Sequence, residues 1–97
     1  MIDKTKIENK LVRLIPKLTK EFSVERIGIF GSFHTSNFNK KSDIDLLVDF
    51  KITPGWEYFD LLDYLEKELG FKIDLVTKNA LKPQLKEKIL SEVKFIS

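Results

Sequence analysis

The sequence predicts an α/β (α+β) protein, a small mixed β-sheet with helices packed on one face. Three features predict it. Apolar residues alternate with period two at Val24–Phe30, Asp43–Phe50 and Phe71–Val76; they recur at spacings of three and four in the stretches before, between and after. The resulting order of helix, strand, loop, strand, helix, strand, helix describes a sheet covered on one side.

Taken in order, Ile7, Leu11, Leu14, Ile15, Leu18 and Phe22 make a helical stripe from about Asp3 to Phe22, with Lys and Glu opposite. Pro16 removes a backbone bond inside that stripe, which predicts a kink or break near Ile15. Val24–Phe30 is a strand with Ile27 and Ile29 on one face and Gly28 and Phe30 on the other; Gly28 would let something approach the backbone closely. A polar loop, 33–42, carries Asn37 and Asn39.

After the second strand, Thr53-Pro54 reads as a helix start, with Thr53 the cap and Pro54 in the first helical position. Tyr58, Leu61, Leu62, Leu65 and Leu69 form that helix's buried stripe, and Gly70 ends it. The third strand follows, then a turn at Asn79–Pro83 and a helix from about Pro83 to Glu92, marked by Leu85, Ile89 and Val93. Residues 94–97 read as either a frayed helix end or a short edge strand. The face away from the helices would be open.

Length and composition bound the rest. Ninety-seven residues make one domain, 1–97, with a single modest core. A net charge of +2 does not make nucleic acid a default partner, and it is not expected as a direct substrate. There is no cysteine, so disulfides and thiolate metal sites are excluded. Apolar runs are far too short for a membrane span and the N-terminus is polar, which points to a cytoplasmic location.

The chemistry concentrates in Gly31-Ser32, ten intervening residues, then Asp43-Ile44-Asp45. Strand alternation projects Asp43 and Asp45 side by side, their Cα atoms about 6.6 Å apart. Two carboxylates so close repel, and a bound Mg²⁺ removes the conflict because it takes hard oxygen ligands. Asp74 on the third strand is in phase with them. If the second and third strands are neighbours, the trio could hold two divalent cations roughly 3.5–4 Å apart, the arrangement that clamps an in-line displacement at phosphorus. Asp74 would then bridge the second metal and help deprotonate an incoming hydroxyl. Gly31-Ser32 exposes backbone N–H groups that, with the Ser32 hydroxyl, can receive phosphate oxygens.

Other candidates are weaker. Asp49 lies further along the strand and reads as solvent-exposed. His34, the only histidine, reads as an exposed loop residue, and Lys40 and Lys41 as a solvated pair that could steer a triphosphate. Trp56, Tyr58 and Tyr64 read as core or partner contacts.

The Gly31-Ser32 and Asp43-Ile44-Asp45 signature resembles that of the polymerase-beta-like nucleotidyltransferases, and the short chain is similar to their minimal branch. The resemblance is sharp from about Val24 to Thr77. It implies that Asp43, Asp45 and Asp74 are the catalytic and metal-holding residues, that Gly31, Ser32 and Ser42 are nucleotide-binding, and that the cofactor is Mg²⁺, two ions, with ATP as substrate. It also implies transfer of a nucleoside monophosphate to a hydroxyl, a HEPN-type toxin as protein partner, and an antitoxin role; a homo- or hetero-oligomer is a further expectation. A non-catalytic toxin-binding module and an aminoglycoside-like small-molecule enzyme are the alternatives. Where many minimal members carry an Arg-Gly pair after Gly-Ser, this chain has His34, Thr35, Ser36 and Asn37.

Overall fold

The computed structural model describes residues 2–96. Helix α1 spans Lys4–Glu21, capped by Asp3, whose carboxylate accepts from the backbone N–H groups of Thr5 and Lys6 at 3.0 and 3.3 Å. Its stripe of Ile7, Leu11, Leu14 and Leu18 is buried. The expected break at Pro16 does not occur; the helix runs through it. Pro16 and Val12, one turn back, both lie on the solvent side, so water can serve the carbonyl that loses its partner.

Strands β1 (Val24–Phe30), β2 (Ile44–Phe50), β3 (Ile73–Thr77) and β4 (Lys94–Phe95) form a mixed sheet in the order β3-β2-β1-β4. β1 is antiparallel to β2 and to β4, whereas β2 and β3 are parallel. Lys94–Phe95 is therefore an edge strand and not a frayed helix end, and Ser97 lies outside the described residues. β1 has the predicted bounds, and β2 and β3 begin one and two residues later than predicted.

Helix α2 (Glu57–Leu69) starts later than Thr53-Pro54, a correction with a local cause. Gly55 interrupts the run, and the Glu57 carboxylate reaches back to accept from the Gly55 N–H at 2.8 Å, so the first turn forms around Glu57 instead of Thr53. Glu57 and Asp60 then stand at the positive end of the helix. Gly70 ends it in a left-handed conformation, as the sequence predicts. Helix α3 (Pro83–Glu92) has the predicted extent.

α1 and α2 pack on one face of the sheet, over Ile27, Ile29, Ile44, Leu46, Val48, Ile73 and Leu75. The opposite face is not bare. Phe30 and Leu47 are buried there, and Val93 lies against Gly28. A Cβ at Gly28 would sit 2.6 Å from Val93 Cγ2 and 3.0 Å from the Lys94 carbonyl oxygen, so the close approach that this glycine permits is made by the C-terminal segment.

Candidate active site

Strand register builds the site. In the parallel β2–β3 pair, Asp45 stands directly opposite Asp74, both on the face away from α1 and α2. Ile44 and Leu46, Ile73 and Leu75 point the other way and are buried, which anchors the two strands at this register. Asp43 precedes the first residue of β2 and is exposed, so it flanks the pair from the strand's entry instead of standing within the ladder.

Gly31 closes the other side. It turns the chain out of β1 at φ 72°, a left-handed conformation that glycine adopts without strain, and the following residues wind into a short 3₁₀ turn, Gly31–His34. A side chain there has no room: a Cβ on Gly31 would drive into Asp45 Oδ2 and lie 3.1 Å from Asp45 Cγ. The turn and the carboxylate are thus in direct contact, with Ser32 exposed beside them.

The electrostatics report the same convergence. The Asp45 carboxyl is pushed from its ordinary 3.8 up to about 6. Burial is the largest cause and the charge of Asp74 the next; the backbone N–H of Ser32 pulls the other way, while a hydrogen bond shared with the Asp74 carboxyl and the charge of Asp43 add to the rise. A carboxylate with a raised pKa favours the folded state most below about 3.8, and that contribution is lost as the pH climbs through about 6. In the presence of a chelator, Asp45→Asn is therefore expected to raise the thermal midpoint at pH 7 and to change it little at pH 4. An equal gain at both pH values would show that charge repulsion is not the cause.

The loop between turn and carboxylates is held down by its aromatics. Phe33, 1% exposed, and Phe38, 8% exposed, meet edge to face at 5.0 Å, and Phe38 stacks on Phe71 at 5.5 Å. Lys4 Nζ donates to the Thr35 carbonyl at 2.7 Å, and His34 Nε2 donates to the Ile29 carbonyl at 2.9 Å. Ser42 is half-buried; its hydroxyl oxygen accepts from the Asn39 N–H at 3.0 Å, so it closes the loop immediately before Asp43. The loop expected to be polar throughout is thus anchored by two buried phenylalanines. Two large apolar residues in an otherwise polar stretch were the available signal.

The donor set is made of hard carboxylate oxygens, with neither thiolate nor imidazole directed at it, which suits Mg²⁺ over softer cations. Among the described residues no group of three or more acidic, histidine or cysteine side chains is arranged to hold a metal ion. What the fold supplies is a like-charged pair with a third carboxylate alongside, an arrangement that a cation relieves. A small-residue turn in contact with such a pair can hold a phosphate chain on one side and divalent charge on the other. That is the equipment of a phosphoryl-transfer enzyme.

Comparison with known proteins places the chain further. Residues 11–96 match the family model described as a nucleotidyltransferase domain. The protein adenylyltransferase MntA of Thermococcus cleftensis is 36% identical over 97 residues, covering 99% of this chain and 98% of the relative. A Methanocaldococcus jannaschii chain provisionally named a protein adenylyltransferase is 42% identical over 89 residues, covering 89% and 91%. Among solved structures, one provisionally named a minimal nucleotidyltransferase superposes with a TM-score of 0.81 at 28% identity, covering 96% of this chain and 95% of that one. The fold is also shared, at TM-score 0.73 and 23% identity, with a structure described as a tri-AMPylated Shewanella oneidensis HEPN toxin in complex with MNT antitoxin; the match covers 98% of this chain and 72% of that one.

The chain belongs to the nucleotidyltransferase domain family, and its likeness within that family is to the minimal nucleotidyltransferases. It is an enzyme, a transferase.

Proposed function

We propose that the protein transfers AMP from ATP, with Mg²⁺, to a hydroxyl group of a partner protein, and that it acts in the cytoplasm as the antitoxin of a HEPN/MNT pair. The observation that carries this reading is Asp45 opposite Asp74 on parallel strands, with the Gly31 turn against the same carboxylate. The activity named for the Thermococcus relative and the complex described for the Shewanella neighbour support the choice of acceptor class.

In this reading Gly31 and Ser32 receive the triphosphate through backbone N–H groups and the Ser32 hydroxyl, and Ser42 fixes the loop that brings Asp43 beside the strand pair. Two Mg²⁺ ions held by Asp43, Asp45 and Asp74 would neutralise phosphate charge and orient the two oxygens that exchange at phosphorus. The acceptor oxygen forms a bond to the α-phosphorus, the α–β bridging bond breaks, and pyrophosphate leaves. The acceptor's proton passes to a carboxylate oxygen of Asp74, which is exposed. Ile52, Trp56 and Phe59, 71%, 82% and 55% exposed, form a separate apolar surface around the start of α2.

The test incubates the protein and Mg²⁺ with a HEPN-type partner and ATP labelled at either the α- or the γ-phosphate. Label from α-labelled ATP alone should become acid-stable on the partner. Transfer from the γ position, or to an aminoglycoside and not to the protein, would overturn the reading.

A further inference from the structure

β3 is the outer strand of the sheet, so its outward N–H and C=O groups have no neighbouring strand to pair with. The inward groups serve β2, as where the Lys72 carbonyl accepts from the Ile44 N–H at 2.9 Å. The outward ones are met by side chains of α2. The Ile73 N–H donates to Glu66 Oε2 at 2.9 Å, and the Tyr58 hydroxyl donates to the Leu75 carbonyl. Ile73 and Leu75 are the residues immediately before and after Asp74.

We propose that Tyr58 and Glu66 are positioning residues, which grip the free edge of β3 on both sides of Asp74 and so fix where its carboxylate stands relative to Asp45. The proposal rests on the nucleotidyl-transfer reading of the site. α2 is a firm base for such a grip, since Leu61 and Leu65, between the two gripping residues, are both 0% exposed. Beneath β3, Ile73 and Leu75 are each 5% exposed, so the strand is pinned from below by packing and from its edge by two hydrogen bonds. Tyr58 stays a neutral donor, because burial and the charge of Asp74 both push its hydroxyl above the ordinary 10.0. The Asp74 carboxyl also shares a hydrogen bond with Asp45, a partner of like charge that cannot hold it once both are ionised, and its placement is therefore delegated to its two neighbours in sequence.

The experiment compares Tyr58→Phe, Glu66→Ala and Glu66→Gln by amide hydrogen exchange and by steady-state transfer. Tyr58→Phe removes one hydroxyl, Glu66→Ala removes the acceptor, and Glu66→Gln restores an acceptor oxygen without charge. Exchange protection at residues 73–75 should fall in the first two and recover in the third. The rate constant kcat should fall about tenfold in each of the first two, since a displacement of about 1 Å at a reacting group can cost about a hundredfold. KM for ATP should stay within about twofold, because the Gly31 turn is untouched, and Glu66→Gln should recover most of kcat. Leu14→Val, which loosens α1 away from β3, serves as the comparison for a general loss of stability and should leave exchange at 73–75 and kcat near the starting values.

Unchanged protection in Tyr58→Phe and Glu66→Ala would overturn the grip. Lost protection with unchanged kcat would overturn its positioning role. A wild-type protein that transfers nothing would instead remove the functional reading, and the exchange data would still decide whether the grip exists.

Discussion

Asp45→Asn is expected to reduce nucleotidyl transfer by about a thousandfold or more. The substitution keeps shape and volume but removes one of two facing negative charges at the position opposite Asp74. Divalent-cation catalysis supplies several kcal/mol of charge stabilisation, and each 1.36 kcal/mol lost is a tenfold loss of rate. The same variant should be more heat-stable than wild type at pH 7 in chelator, because the charge it removes is one that burial and Asp74 disfavour. Measured together, the two changes run in opposite directions, which separates loss of chemistry from loss of fold. Transfer within tenfold of wild type would remove Asp45 from the reaction.

Gly31→Ala should be the second most damaging single change, and Gly70→Ala is its matched control. Both glycines sit at φ 72°, where an alanine suffers the same backbone penalty of about 1–2 kcal/mol. Around Gly70 an added Cβ meets nothing within 4 Å, whereas at Gly31 it meets the Asp45 carboxylate. Gly70→Ala should therefore lower stability by about 1 kcal/mol and leave transfer intact. Gly31→Ala should match or exceed that loss of stability and also cut transfer by about a hundredfold, the scale of a reacting group displaced by about 1 Å. The readouts are thermal unfolding and initial rates on the two variants in parallel. Equal effects on rate would mean that the turn's contact with Asp45 is incidental.

Much of the site was legible because strand alternation is rigid. Asp45 and Asp74 follow from the buried partners Ile44, Leu46, Ile73 and Leu75, since once those side chains face the core the carboxylates have one direction left. The pairing of β2 with β3, only conditional in the sequence, needed the fold to decide it. Asp43 was placed less well, because the ladder starts one residue after it. The start of α2 was misread at Thr53-Pro54, since a good cap is a local preference and the Glu57–Gly55 bond overrides it. At Pro16 the helix does not break, for the converse reason: a position on the solvent side makes the missing bond cheap. Tyr58 was seen as one more member of an apolar stripe and Glu66 not at all. Their hydrogen bonds reach 17 and 7 residues along the chain, and no local pattern announces a contact of that kind.

The parallel alignment of β2 and β3 has a consequence for how activity can be lost. A slip of one residue between these strands would turn Asp74 inward among apolar side chains and put Leu75 on the surface, so no partly aligned form exists between competent and useless. Substitutions in the buried side chains that hold this alignment, in Ile73 or Leu65 for example, should thus yield mixed populations, some molecules fully active and others silent, instead of a uniformly slower enzyme.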